Sequence, residues 1–347
     1  MTEFHLNPNI GRSNISTESV RKGFGRGLVL AGMDDESIVA LSADLTESVN
    51  MQPFADKFPE RFVQVGVAEQ NLVTVASGMA SAGKRPFAGS YSAFSPGRNW
   101  EQIRTTICLN NQPVKIVGSH SGVSVGPDGA THQMLEDIAL MRVLPNMTVV
   151  VPGDSLEAEK ATIALAKTNS PAYLRLSRDA TAVFTSALTP FEIGRAYVLR
   201  TGSDVTLLAT GTMTYQCLLA ADKLYKDGVD AEVIHVPTVK PLDEKVILTS
   251  LSKTRLGLTV EEGQVAGGFG SAVAELLVER LPIPLRRVGI KDRFGESGTA
   301  EELLSYFGLD ALGIVKSTHE LIISVSEKNK QNESSKTVAE KTRFRRK

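Results

Sequence analysis

The strongest chemical signal is a carboxyl group at the head of a helix. Phe62-Val63-Gln64-Val65 reads as a strand that passes through Gly66-Val67-Ala68 into a helical pattern opening on Glu69. Ligands of parallel α/β sheets bind in the crevice beyond the strand ends, and that is where this side chain falls. Taken alone, such a Glu is explained by the positive end of the helix macrodipole; its company changes the reading. Downstream, Phe87-Ala88-Gly89-Ser90 leads into Tyr91-Ser92-Ala93-Phe94. Two aromatics three apart at a strand-to-helix junction fit either a core or a stacking wall for a flat heterocycle. A third segment, His120 to Gln133, is polar, rich in Gly and carries His120, Asp128 and His132. A loop that long is more often functional than structural. One His would be read as structural, whereas two with an Asp after a single strand suit a polar substrate pocket.

These residues need strand ends to hold them. Short apolar runs alternate with amphipathic stretches, the pattern of βα units and parallel sheets. In the first half, strands are expected at Ser37–Leu41, Arg61–Val65, Arg85–Gly89, Val114–Gly118, Met147–Val151 and Ala172–Arg175. Helices are expected at Glu69–Ala82, Asn99–Asn110, Met134–Val143 and Ser155–Lys167. Asp179–Pro190 has few periodic signals and reads as a linker. A smaller α/β series follows from Val205 to Ser326. The expected fold class is therefore α/β, with two domains, each a mostly parallel sheet flanked by helices. The division is a leader at residues 1–13, domains at 14–180 and 192–326 with a linker at 181–191 between them, and a tail at 327–347.

Composition narrows the function. The 347 residues are 42% hydrophobic and 22% charged with a net charge of −1, which gives no electrostatic bias toward nucleic acid or anionic membrane. The N-terminus has no apolar signal core, and no apolar run is long enough to span a bilayer. Cys108 and Cys217 lie in apolar helical patterns and read as core thiols in a reducing, cytoplasmic compartment. The run Gly267-Gly268-Phe269-Gly270 lacks the spacing of a dinucleotide loop; a turn needing permissive backbone explains it. Residues 328–347 carry eight basic and two acidic side chains, so a disordered, solvated tail is expected.

In order, SADLTES, GVAEQN, SYSAF, HSGVSVGPDGATHQ and LRLSR resemble the C-terminal half of transketolases, over roughly residues 14–325. The resemblance implies a pyrimidine-binding domain followed by a transketolase C-terminal domain. It also implies transfer of a two-carbon ketol unit between sugar phosphates with thiamine diphosphate. Glu69 then matches the carboxyl group that hydrogen-bonds N1′ of the cofactor's aminopyrimidine and promotes loss of the thiazolium C2 proton, a role that asks for apolar enclosure. Tyr91 and Phe94 match aromatics that pack on the pyrimidine; a third aromatic of many relatives is Gly97 here. Asp44 matches a position near the cofactor or the dimer contact, and a plain strand-end Asp fits nearly as well. His132, assigned with Glu69 to catalysis, and Asp128 match groups that bond substrate hydroxyls. His120, Arg178, Arg21 and Ser48 match contacts to the phosphate end.

The diphosphate- and Mg²⁺-binding half of transketolases, with its GDG signature, has no counterpart in this sequence. The expected ligands of Mg²⁺ therefore lie on a partner, an N-terminal transketolase subunit, in an α2β2 heterotetramer with a β–β contact. A start at Met1 with a short polar leader favours a complete subunit of a split enzyme over a fragment. The competing readings are a 2-oxoacid dehydrogenase beta subunit, a 1-deoxyxylulose-5-phosphate-synthase-like enzyme and a non-catalytic regulatory paralogue. The His120, Asp128, His132 and Arg178 set favours the sugar enzyme over the first of these, because a short 2-oxoacid needs no polyol pocket.

Overall fold

The structure, a computed structural model, describes the backbone of residues 5–344 and side chains through Lys328. Strands buried on both faces organise it. Ile38–Ser42 and Lys115–Ser119 are buried at every position, as strands of a helix-covered parallel sheet must be. The first half contains β1 (Thr17–Ser19), α1 (Val20–Asp34), β2 (Ile38–Ser42), α2 (Gln52–Lys57), β3 (Phe62–Gln64), α3 (Glu69–Ser81), β4 (Arg85–Tyr91), α4 (Trp100–Gln102), β5 (Lys115–Ser119), α5 (Asp137–Arg142), β6 (Thr148–Val150), α6 (Ser155–Ala166), β7 (Ala172–Arg175) and β8 (Ala180–Ala182). The second contains β9 (Tyr197–Arg200), β10 (Val205–Ala209), α7 (Met213–Lys226), β11 (Ala231–His235), β12 (Thr238–Lys240), α8 (Glu244–Thr254), β13 (Gly257–Gln264), α9 (Phe269–Arg280), β14 (Leu285–Ile290), α10 (Ala300–Tyr306) and α11 (Ala311–Phe344).

The expected fold class holds. The first sheet has the order β12-β6-β7-β5-β4-β2-β3 and the second β14-β13-β10-β11-β9. Pairing is parallel in both except at the edge strands β12 and β9. Strand β12 comes from the second half of the chain yet closes the first sheet beside β6. Met147, Val149 and Val151 share one apolar cluster with Ile234, Val236 and Val239. The two domains thus meet through core, not through a polar seam.

Three expectations change. The segment drawn as a linker is docked: β8 pairs with β1, Phe184 is fully buried, and Thr185 donates from its amide and hydroxyl to the Asp154 carboxylate at 2.7 and 2.8 Å. The amphipathic stretch Asn99–Asn110 forms only α4 before widening into a π-helical turn at Ile103–Cys108. Finally, the segment from Glu327, expected to be disordered, continues α11 to Phe344. Its Glu, Lys, Gln and Ala residues are good helix formers, so high charge does not forbid a helix there.

Candidate active site

Parallel pairing of β3, β2, β4, β5 and β7 brings their carboxyl ends to one edge. Asp44 and Ser48 follow β2, Glu69 follows β3, Tyr91 and Phe94 end or follow β4, His120, Asp128 and His132 follow β5, and Arg178 follows β7. Segments far apart in sequence therefore share one crevice rim, as the topology of such sheets requires.

At its centre Glu69 opens α3 and is only 4% exposed. Its enclosure is not purely apolar, as the sequence had led us to expect. Arg98 Nη1 lies 3.2 and 3.1 Å from the two Glu69 carboxylate oxygens, because a buried carboxylate demands a partner. The same guanidinium lies over the Phe94 ring, 4.2 Å from its centroid. A flat, N–H-donating group thus stacks on Phe94 while bonding Glu69. Asn99 steadies the helix start, donating to the Glu69 carbonyl at 2.8 Å.

The aromatic and imidazole rings form one cluster. Tyr91 and Phe94 lie 5.9 Å apart with planes at 25°. His120 stacks on Tyr91 at 3.7 Å, and His132 stands edge-on to Phe94 at 5.4 Å. His120 sits in the left-handed region at φ 56, a strained conformation for a non-glycine residue that marks functional strand ends. Burial, then the charges of Arg21, Arg178 and His132, pulls its pKa down to about 3. It is a neutral ring, bonded through Nδ1 to Ser119 Oγ at 2.9 Å.

The remaining expected residues divide. Arg178 faces His120 electrostatically, while its Nη1 donates to the Val125 carbonyl at 2.6 Å. Arg21 spends its guanidinium on main-chain carbonyls, those of Ser48 and Arg178. It joins two loops of the rim, and Ser48 enters this contact through its backbone. Asp128 is exposed on the loop. Asp44 is exposed in the left-handed region at φ 60, with its amide held by Gln64 Oε1 at 2.7 Å. Gly97 is tightly hemmed: a Cβ there would lie 2.0 Å from the Ala93 carbonyl oxygen, so the turn itself excludes a third aromatic. Arg98 is a site residue that the sequence reading did not single out; its place four residues after Phe94 is the signal, and it speaks only once the turn between them is known.

Known proteins agree with this architecture. The transketolase pyrimidine-binding domain matches residues 16–183 and the transketolase C-terminal domain residues 194–314. The chain belongs to the transketolase family. It is 42% identical over 302 residues to a protein of Methanocaldococcus jannaschii described as a transketolase C-terminal section, covering 86% of this chain and 95% of that one. It is 43% identical over 287 residues to the 6-deoxy-6-sulfo-D-fructose transketolase subunit SqwH of Clostridium sp. strain MSTE9, covering 83% and 89%. Among solved structures, a split-gene transketolase described as an inactive beta4 tetramer superposes with a TM-score of 0.83 at 42% identity, over 88% of this chain and 98% of that one. Transketolases depend on thiamine diphosphate, and the residues here fit its aminopyrimidine. The position of the Arg98 guanidinium shows that a planar, nitrogen-bearing group reaches the Phe94 face and the Glu69 carboxyl group together.

Proposed function

We propose that this chain is the C-terminal, beta-type subunit of a split transketolase that moves a two-carbon ketol unit between sugar phosphates in the cytoplasm. The observation that carries the reading is the buried Glu69 carboxylate beside the cluster in which Tyr91 stacks on His120 and His132 stands edge-on to Phe94. Thiamine diphosphate, when bound, supplies the carbanion chemistry. This chain's part is to position and to exclude water. Glu69 would share a proton with the aminopyrimidine ring nitrogen, its carboxylic acid donating to that nitrogen; Phe94 and Tyr91 would wall the ring. His132 and Asp128 would bond sugar hydroxyls, with His120 and Arg178 toward the phosphate end, where a guanidinium's paired donors suit phosphate. Arg21 and Ser48 would set the rim that holds Arg178, and Asp44 would lie near the subunit contact.

The second half of the cofactor site, with the Mg²⁺ ligands, belongs to a diphosphate-binding partner chain, in an α2β2 assembly. Among the described residues no cluster of His, Cys, Asp and Glu is suited to hold a metal. The inactive beta-only tetramer of the similar split transketolase supports the need for that partner. Buried free thiols at Cys108 and Cys217 suit a reducing compartment. Among the described residues no helix is long and apolar enough to cross a membrane. The two His on one rim favour a polyol over a short 2-oxoacid. The test is reconstitution with the diphosphate-binding chain and assay of a donor panel. Turnover of phosphorylated ketoses only when both chains are present is expected; turnover of pyruvate alone would overturn the reading.

A further inference from the structure

The loop between His120 and His132 is held in part by the second domain, and a buried carboxylate there bonds it directly. Glu262 lies on β13, is 3% exposed, and its Oε1 accepts the Ser124 amide at 2.6 Å. Ser124 is in the first of two short 3-10 turns, within Val123–Asp128 and broken at Gly126, that shape the loop. Gly122, just before it, makes room: a Cβ there would lie 2.3 Å from Glu262 Oε1 and 2.4 Å from its Cδ. Gly122 also has φ +87, a conformation other residues resist. The Glu262 backbone is pinned in turn, its carbonyl accepting from Arg175 Nη2 at 2.9 Å, while Arg175 Nε bonds the buried Asp137 carboxylate at 2.7 Å. The far end of the loop is tied back to the same turn and to the second domain. Gln133 Nε2 donates to the carbonyls of Val123 at 3.0 Å and Glu296 at 2.8 Å, and Gly129 packs against Ser297.

We propose that Glu262 is a positioning residue: through Ser124 it fixes the loop that presents His120 and His132, so the second domain tunes sugar affinity without touching the sugar. The inference rests on the sugar-pocket reading of that loop. Removing the carboxyl oxygen that accepts from a buried amide leaves the Ser124 N–H unpaired. Small displacements of substrate-positioning groups are costly in rate.

The test uses the complex reconstituted with the diphosphate-binding chain. Glu262→Ala should raise KM for the ketose phosphate by about tenfold or more, with kcat and the thiamine diphosphate activation constant within about threefold of wild type. In this chain alone, amide exchange across residues 122–133 should accelerate selectively, by about tenfold or more. Glu262→Gln keeps an oxygen acceptor and should restore both readouts. Unchanged KM and exchange in Glu262→Ala, while His132→Ala does raise KM, would overturn the inference and leave the sugar pocket standing. Faster exchange throughout the chain would also overturn it, as general destabilisation. If neither variant moves the sugar KM, the sugar-pocket reading falls and this inference with it.

Discussion

At the residue scale, the site is a set of polar groups made tolerable by specific partners. Glu69 is the buried member of its pair: its carboxylate would be costly without a partner, and Arg98, itself half exposed, reaches in to supply one. The consequence for thiamine binding is direct: a ring bonding Glu69 must share the carboxylate with Arg98 or displace it. His120 is the clearest titratable case. Burial first, and three neighbouring positive or titratable groups second, hold it far below the ordinary imidazole range, at about 3. Its ring should therefore stay neutral from pH 5 to 8, acting through hydrogen bonds and not charge. Selectively labelled imidazole NMR checks this; a titration midpoint near pH 6.5 would show that the surrounding cations and burial do not act as argued. Much of this scale was legible in the sequence. Glu69, Tyr91, Phe94 and His120 converge because each lies at or just beyond the end of a strand whose apolar run announced it, and the loop after β5 brings His132 back to them. Arg98 and Glu262 were not legible. Arg98 depends on a turn geometry, and Glu262 meets its partner across 138 residues, a separation no local pattern encodes.

At the element scale, the helices that place the rim are held by close backbone approach. Helix α1 has Gly23 and Gly27 against α6: a Cβ at 23 would lie 1.8 Å from the Ser155 carbonyl oxygen, and one at 27 would lie 2.7 Å from that of Glu159. The glycines that weaken its helical propensity are the ones its packing needs, which is why the sequence pattern gave no clear helix there. Gly23→Ala should destabilise the chain by about 1–3 kcal/mol, the range for overpacking, even though Ala is the better helix former. Urea unfolding midpoints measure it; a neutral or stabilising result would mean that the two helices can separate freely. The strands Tyr197–Arg200 and Thr238–Lys240 also escaped the sequence reading. They are short, and β12 becomes a strand only by pairing with β6 of the other domain. By contrast, Ala172–Arg175 was read at its observed bounds, because a strand covered on both faces is a mostly apolar run.

At the scale of the whole molecule, the two domains behave as one folded body around shared core and buried polar ties. Glu157, from the first domain, accepts from the Gly153 amide at 2.6 Å and pairs with His235 of the second at 2.7 Å; His235 in turn bonds Thr214. Lys115 gives the folded state a pH signature. It is fully buried in the central strand β5, donates to the carbonyls of Thr168 and Ser170 at 3.0 and 2.6 Å, and burial lowers its pKa to about 7. The unfolded chain keeps this proton up to the ordinary lysine range near 10.4, so between pH 7 and 9 the unfolded state binds more protons than the folded one. Its contribution therefore rises with pH in that window, by up to about 1.4 kcal/mol per pH unit. Lys115→Met should remove that slope when unfolding free energies are compared at pH 7 and pH 9; parallel pH profiles for variant and wild type would contradict it.

The account as a whole turns on whether Glu69 serves a thiamine ring completed by a second chain. The direct measurement is steady-state ketol transfer by the reconstituted complex carrying Glu69→Ala, alongside its assembly state by analytical ultracentrifugation. Loss of turnover by about 10²-fold or more, in a complex that still assembles as wild type does, is the predicted result. Wild-type turnover in that variant would contradict the central claim.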